Sequence, residues 1–196
     1  VHHYIEGTTT PVPLKDGTNA EDEVLRGDVD EEYLTRELDE SKSIYTVSEV
    51  PANASGKYID GNIEVTYYYR LKDAQVVTHY YEEGTTNKLS EDKVINGKIN
   101  DEYSTVMADD IPSKYELVET PANATGTMTE ETTEVIYFFR KKAAQVIVRH
   151  YEEGTTNKLS EDVVIDGRVD DAYTTVPADD IPSKYELAGT PEKVTG

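Results

Sequence analysis

The sequence predicts a mainly β fold, α+β at most, arranged as three small units in tandem. Three observations carry that prediction. First, whole segments recur: "YEEGTTNKLSED" at 81–92 returns unchanged at 151–162, and loosely as "YIEGTTTPVPLKD" from Tyr4 to Asp16. Gly27, Gly97 and Gly167 fall seventy apart, as do Tyr33, Tyr103 and Tyr173, then Pro51, Pro121 and Pro191, then Gly56, Gly126 and Gly196. A fixed period of this kind marks copies of one structural unit. Second, runs rich in Val, Ile, Thr and Tyr alternate with Gly, Pro and Asp-Asp turns, which is the pattern of short strands. Third, 15 tyrosines give those runs large apolar faces in a chain whose net charge is −21, so the sequence reads as folded rather than disordered.

Each unit opens with a strand-like run, "AQVVTHYYE" at 74–82 or "AQVIVRHYE" at 144–152, and Gly84 and Gly154 end it. The first copy carries about seven extra residues between Gly7 and Gly27, within "PVPLKDGTNAED". That places the insertion in a turn, where extra length costs little. In the middle of the unit, "DEEYLTRELDES" at 30–41 reads as a brief helix with Tyr33 and Leu34 or Leu38 facing inward. The unit closes with "IEVTYYYRL" at 63–71 or "TEVIYFFRK" at 133–141. In these closing runs Val65, Tyr67 and Tyr69 point one way and Thr66, Tyr68 and Arg70 the other. Tyr67, Tyr69, Tyr115, Tyr137 and Phe139 are the expected core.

These periods divide the chain at 1–72, 73–142 and 143–196. Successive units meet through "LKDAQ" at 71–75 and "KKAAQ" at 141–145, which contain neither Gly nor Pro. Such joints predict an elongated, semi-rigid rod of beads rather than a flexible string. Three opening runs face only two closing ones, because the sequence stops at Gly196. The third unit is therefore expected to be completed by further chain, by a neighbouring chain or by another strand arrangement. Residues after about Val169 are expected to exchange amide hydrogens fastest.

Composition excludes several functions. With 19 Lys and Arg against 40 Asp and Glu and no basic block, the chain is repelled by phosphate backbones and anionic membrane surfaces. The absence of cysteine removes disulfides, thiolate nucleophiles and thiolate metal sites. No apolar stretch reaches the ~18 residues that span a bilayer and no signal peptide opens the sequence, so any export signal or anchor is expected outside it.

The side chains able to carry chemistry are the His residues, the acidic clusters and the tyrosines. His2, His3, His79 and His150 sit at near-equivalent places in opening runs, which reads as repeat structure. No nucleophile elbow, phosphate loop or His-Glu-x-x-His helix accompanies them, and the chain is expected not to be an enzyme. Asp28, Asp30, Glu31 and Glu32 in "DVDEEY" offer the oxygens a calcium ion takes. They lack EF-hand spacing, and a solvated acidic face is the reading the sequence favours over calcium; no other cofactor is expected. Tyr68 and Phe138 lie on the outward face beside Arg70 and Arg140, an aromatic ring next to hydrogen-bond donors, which suits a sugar. "NAS" at 53–55 and "NAT" at 123–125 read as post-proline turns.

The opening "VVTHYYEEGT", the "GKINDEYST" turn with Gly97 and Tyr103, the "IPSKYELVETPANATGTMTEE" middle and the closing "TEVIYFFRK" resemble the MucBP, or mucin-binding protein, repeat of cell-wall-anchored surface proteins in Gram-positive bacteria. The resemblance spans the whole repeat and recurs three times. It implies small β-grasp, ubiquitin-like units of mostly antiparallel strands, arrayed on an adhesin outside the cell, with mucin or other host glycoprotein glycans as partners and the rod itself monomeric within a longer chain. His3 and His150 depart from the family tyrosine that Tyr80 matches. A second reading keeps the same units as a stalk projecting another binding domain. The negative charge supports it, since sialylated and sulfated mucins repel this chain within a Debye length of about 8 Å.

Overall fold

A computed structural model describes residues 1–189, 191, 195 and 196. The fold is mainly β, made of small sheets in tandem repeats. The first repeat runs through β1 (His2–Ile5), β2 (Glu32–Leu34), a 3-10 turn (Glu40–Lys42), β3 (Tyr45–Glu49), β4 (Ser55–Lys57) and β5 (Thr66–Leu71). The second contains β6 (Asp73–Glu82), β7 (Lys93–Lys98), β8 (Glu102–Ser104), β9 (Tyr115–Leu117), β10 (Thr125–Thr127) and β11 (Thr133–Lys141). The third holds β12 (Ala143–Val148) and β13 (Val163–Arg168). The chain divides into two compact units: residues 1–79, 92–106 and 121–135 form one, and residues 80–91, 107–120 and 136–196 the other.

In the first unit, β5 lies between β1 and β3, parallel to β1 and antiparallel to β3. The last strand of the repeat thus pairs with its first, a non-local parallel contact that periodicity does not reveal. Tyr67 and Tyr69 on its inward face pack with Val12, Ala20, Ala54 and Val65. Burial of apolar area is the dominant drive, about 25 cal/mol per Å². The extra residues of the first copy form a tight excursion, with Pro13 bridging Asn19, Leu14 N–H donating to Thr18 O at 2.8 Å and Gly17 at φ +85°. The insertion therefore does fall in a turn.

No α-helix forms over 30–41. Tyr33 sits in β2 opposite Gly56 of β4 and donates its hydroxyl to Asn53 O at 3.1 Å. A Cβ at Gly56 would stand 3.0 Å from the Tyr33 hydroxyl, so ring and glycine fit only as this extended pair. The same pair recurs as Tyr103 and Gly126. Leu34 is 66% exposed, contrary to one inward option, while Leu38 packs on the core. Amphipathic spacing was outweighed here by the cross-strand contact of Tyr33.

In the second unit, β9 pairs antiparallel with β11, Phe139 opposite Leu117. Glu83 N–H donates to Phe139 O at 2.7 Å, and the rings of Tyr80 and Tyr137 stack with centroids 5.7 Å apart. The five expected core aromatics, Tyr67, Tyr69, Tyr115, Tyr137 and Phe139, are all buried. β12 and β13 form a hairpin. β12 stops at Val148, short of the run to 152 read from sequence, and after Arg168 the described residues hold only the isolated bridge Thr174 to Thr195.

The joints between repeats are tied by backbone on both sides. Lys72 N–H donates to Ile44 O at 3.0 Å and Lys72 O accepts from Ile99 N–H at 3.1 Å. Seventy residues on, Lys142 N–H donates to Lys114 O at 2.9 Å and Lys142 O accepts from Val169 N–H at 3.0 Å. Side chains add to each joint. Glu130 receives Lys15 Nζ at 2.6 Å and Lys72 Nζ at 2.7 Å, and Asp170 receives Lys114 Nζ at 2.6 Å.

Candidate functional site

Alternation along β5 decides what its outward face presents. Tyr67 and Tyr69 point into the core, so Tyr68 and Arg70 point away from it, and Tyr68 is 42% exposed. β11 repeats the arrangement with Phe138, 41% exposed, and Arg140. Tyr68 lies opposite Tyr4 of β1 on one side and Glu49 of β3 on the other. Parallel neighbours in register share a face, so His2, Tyr4, Tyr68 and Arg70 form one outward strip. The strip is ordered: the His2 and Tyr4 rings stack at 5.4 Å, Tyr4 Oη lies 3.1 Å from His2 Nδ1, and His2 Nδ1 lies 2.9 Å from Asp22 Oδ1. Desolvation first, and the Asp22 carboxylate next, push the Tyr4 phenol above its ordinary value, so its hydroxyl keeps its proton.

The two arginines are paired rather than free. Arg70 Nη1 lies 3.6 Å from Asp73 Oδ2, and Arg140 Nε donates to Glu116 Oε1 at 2.9 Å. Both pairs are exposed and contribute little to stability. A guanidinium has five N–H donors, so each retains hydrogen-bonding capacity toward a ligand hydroxyl beside the ring.

Sequence reasoning found Tyr68, Arg70, Phe138 and Arg140 but missed His2, Tyr4 and Asp22 on the same face. The signal was present in the repeat: the outward basic side chain of the opening strand, His2, His79 or Arg149, is followed by an aspartate in each copy. His79 Nδ1 lies 2.9 Å from Asp92 Oδ1 and Arg149 Nε 3.3 Å from Asp162 Oδ2, at the same thirteen-residue spacing (92 − 79, 162 − 149).

The acidic cluster at Asp28, Asp30, Glu31 and Glu32 has a local structural account. Glu31 Oε2 accepts the Asp28 N–H at 3.0 Å. Asp101 and Asp171 do the same for Lys98 N–H at 2.7 Å and Arg168 N–H at 2.8 Å. Asp30, Asn100 and Asp170 take positive φ at the tip of these turns, at 72°, 74° and 65°, a conformation that short polar side chains tolerate. Among the described residues no three His, Cys, Asp or Glu side chains converge to hold a metal ion. The turn after Pro51 has a similar logic: Asn53 Nδ2 donates to Glu64 O, and Asn123 Nδ2 to Glu134 O, each at 2.9 Å.

No helix among the described residues is long and apolar enough to cross a membrane. The model of the MucBP domain matches this chain at residues 14–70, 75–140 and 145–196. Among curated proteins, the chain is 33% identical over 181 residues to Internalin J of Listeria monocytogenes serotype 4b (strain F2365), covering 90% of this chain and 19% of the relative. Internalin J of Listeria monocytogenes serovar 1/2a (strain ATCC BAA-679 / EGD-e) is 34% identical, covering 89% of this chain and 20% of the relative. Internalin I of serotype 4b (strain F2365) is 28% identical over 152 residues, covering 73% of this chain and 8% of the relative. The chain thus spans about a fifth of the length of the Internalin J relatives. With three matched segments accounting for most of its length, the chain belongs to the MucBP domain family.

Proposed function

We propose that the chain is a non-enzymatic repeat region of a Gram-positive surface adhesin, displayed outside the cell. In this reading the repeats at 1–72, 73–142 and 143–196 hold mucin-type or other host glycoprotein glycans weakly and multivalently. The observation that carries it is the recurrence of a half-exposed aromatic ring beside an arginine, Tyr68 with Arg70 and Phe138 with Arg140, at one place in two repeats. The apolar face of a pyranose stacks on such a ring while its hydroxyls meet Arg N–H groups and neighbouring carboxylates. Single contacts of this kind are weak, and tandem copies raise the net affinity through effective concentration. The family membership and the Listeria relatives support surface display.

The test is surface plasmon resonance of the 196-residue chain over immobilised mucin. Tyr68→Ala and Phe138→Ala are each expected to weaken binding several-fold, and the double variant to weaken it by more than either. Unchanged binding in the double variant would remove this face from consideration. The spacer reading has its own support in the backbone ties at Lys72 and Lys142, which resist bending between adjacent repeats. An absence of any mucin signal for the unmodified chain would leave that reading in place.

A further inference from the structure

The insertion of the first repeat replaces a clasp that the other two copies keep. In the second repeat Ser90 Oγ donates to Asp110 Oδ1 at 2.6 Å, and in the third Ser160 Oγ donates to Asp180 Oδ1 at 2.6 Å. Each bond ties the stretch after the opening strand to the Asp-Asp turn 20 residues further on. In the first repeat Pro13 stands where Ser90 stands, and Glu40 where Asp110 stands. Pro13 has no hydroxyl to give, and Glu40 Oε1 accepts from Thr46 Oγ1 at 2.5 Å instead. The insertion follows Pro13, and a cavity of about 470 Å³ is lined by its residues, by the stretch from Arg36 to Lys42 and by His3 of β1.

His3 gives this cavity a buried donor. It is 5% exposed and lies on the inward face of β1, opposite to Tyr4. Its Nδ1 lies 3.0 Å from the Tyr69 hydroxyl, which accepts the Leu38 N–H at 2.8 Å. A tyrosine hydroxyl has one proton to give, and Nδ1 is the acceptor placed to receive it. In the neutral ring the imidazole proton therefore sits on Nε2, which has no hydrogen-bond partner among the described residues. A buried donor left unpaired is costly, so an acceptor delivered into the cavity removes that cost. The walls add unpaired charges of both signs. Arg36, Lys42, Glu21 and Glu37 line the cavity, and none of these four side chains makes an ion pair or a hydrogen bond among the described residues. Asp39 is engaged by contrast, since its Oδ1 accepts the Ser41 N–H at 2.9 Å and Ser41 Oγ at 2.7 Å. Half-buried Leu14 and Leu38 supply apolar ground.

We propose that this cavity binds a short zwitterionic peptide, with its amide carbonyl on the His3 Nε2–H, its ammonium toward Glu21 and Glu37, and its carboxylate toward Arg36 and Lys42. A ligand with a single positive charge meets repulsion from Arg36 and Lys42, and one with a single negative charge meets it from Glu21 and Glu37. A molecule with one charge of each sign is matched by both pairs. The buried donor selects what lies between the two ends. A charged group pressed against it loses its hydration, whereas a peptide carbonyl is a neutral acceptor flanked by the two charges. An apolar side chain of the ligand packs on Leu14 and Leu38. The site belongs to the first repeat and faces away from Tyr68, so it does not rest on the glycan reading of the outward strip.

The experiment titrates L-alanyl-L-leucine into the isotope-labelled 196-residue chain and follows its amide and histidine ring signals by NMR. Saturable shifts are expected at the Ala20 and Leu38 amides and at the His3 ring nitrogens. Arg36→Gln and Glu21→Gln, both at exposed positions, are each expected to weaken binding about five-fold, the scale of an exposed ion pair. The same dipeptide amidated at its C-terminus is expected to bind more weakly and to be indifferent to Arg36→Gln, because the group that Arg36 meets is gone. No saturable shift, equal affinity for a dipeptide blocked at both ends, or shifts confined to Tyr4 and Tyr68 would each overturn the proposal. So would saturation of the cavity by methyl galactoside with the dipeptide silent, which would give the site to a sugar.

Discussion

His3, Tyr69 and the Leu38 amide form one buried hydrogen-bonded chain, and its chemistry makes the first repeat sensitive to acid. Burial holds the His3 imidazole below its ordinary 6.5, and burial pushes the Tyr69 phenol up to about 12. Both are neutral near pH 7. The unfolded imidazole takes a proton at 6.5 and the folded one resists it, so stability is fully present above 6.5 and declines as pH falls toward the lowered folded value. Urea midpoints at about pH 5 and about pH 7.5 are expected to differ less for His3→Tyr than for the unmodified chain; an unchanged difference would acquit His3. Tyr69→Phe strands His3 Nδ1 and the Leu38 N–H and is expected to cost about 1–3 kcal/mol. Adding His3→Tyr recreates the pair found at Tyr80 and Phe139, so the double variant should lose less than the sum of the singles.

Among the elements, the hairpins hold their shape through short-range side-chain bonds that recur in the copies. Asn53 and Asn123 tie the turn after the proline to the backbone leading into the closing strand, while Tyr33 and Tyr103 donate to the Asn53 and Asn123 carbonyls at 3.1 Å. Asn123→Ala removes its amide bond to Glu134 O and is expected to lower unfolding free energy by about 1 kcal/mol, measured by chemical denaturation. Gly56→Ala drives a methyl against the Tyr33 side chain, with contacts of 3.0 Å to its hydroxyl oxygen and 3.2 Å to two ring carbons. Such overpacking costs ~1–3 kcal/mol, and Tyr33→Phe in the same chain leaves most of that cost because two of the three atoms are carbons.

For the whole chain, what matters is how one repeat is fastened to the next. Glu130 takes hydrogen bonds from Lys15 first and Lys72 second, which hold its carboxyl at about 2 against an ordinary 4.5. A depressed carboxylate contributes above the unfolded value, so this tie is present above pH 4.5 and is lost as pH falls toward 2. Glu130→Gln is expected to speed amide exchange at Lys72 and Ile99, whose bonds flank the joint, and to do so less at high salt, where the ion pairs are already screened. If those amides exchange at the parent rate, the backbone ties suffice alone. In the third repeat, amides from 170 to 189 are expected to exchange fastest of the described residues, since no strand follows Arg168 there. Protection through Tyr185 equal to that at Tyr115 would refute it.

The sequence by itself determined the repeat period, the strand character of the opening and closing runs, the aromatic core and the outward placement of Tyr68 and Phe138. All of these follow from alternation and self-similarity, which are local and countable. Tertiary structure decided the rest. It set β5 parallel beside β1, drew Tyr33 into a strand against Gly56 where spacing suggested a helix, and added His2, Tyr4 and Asp22 to the exposed strip. It also revealed that the acidic turn at Asp28 to Glu32 caps its own backbone. The reason is that each of these depends on which distant backbone lies alongside, and pairing partners far apart in the chain leave no period to read.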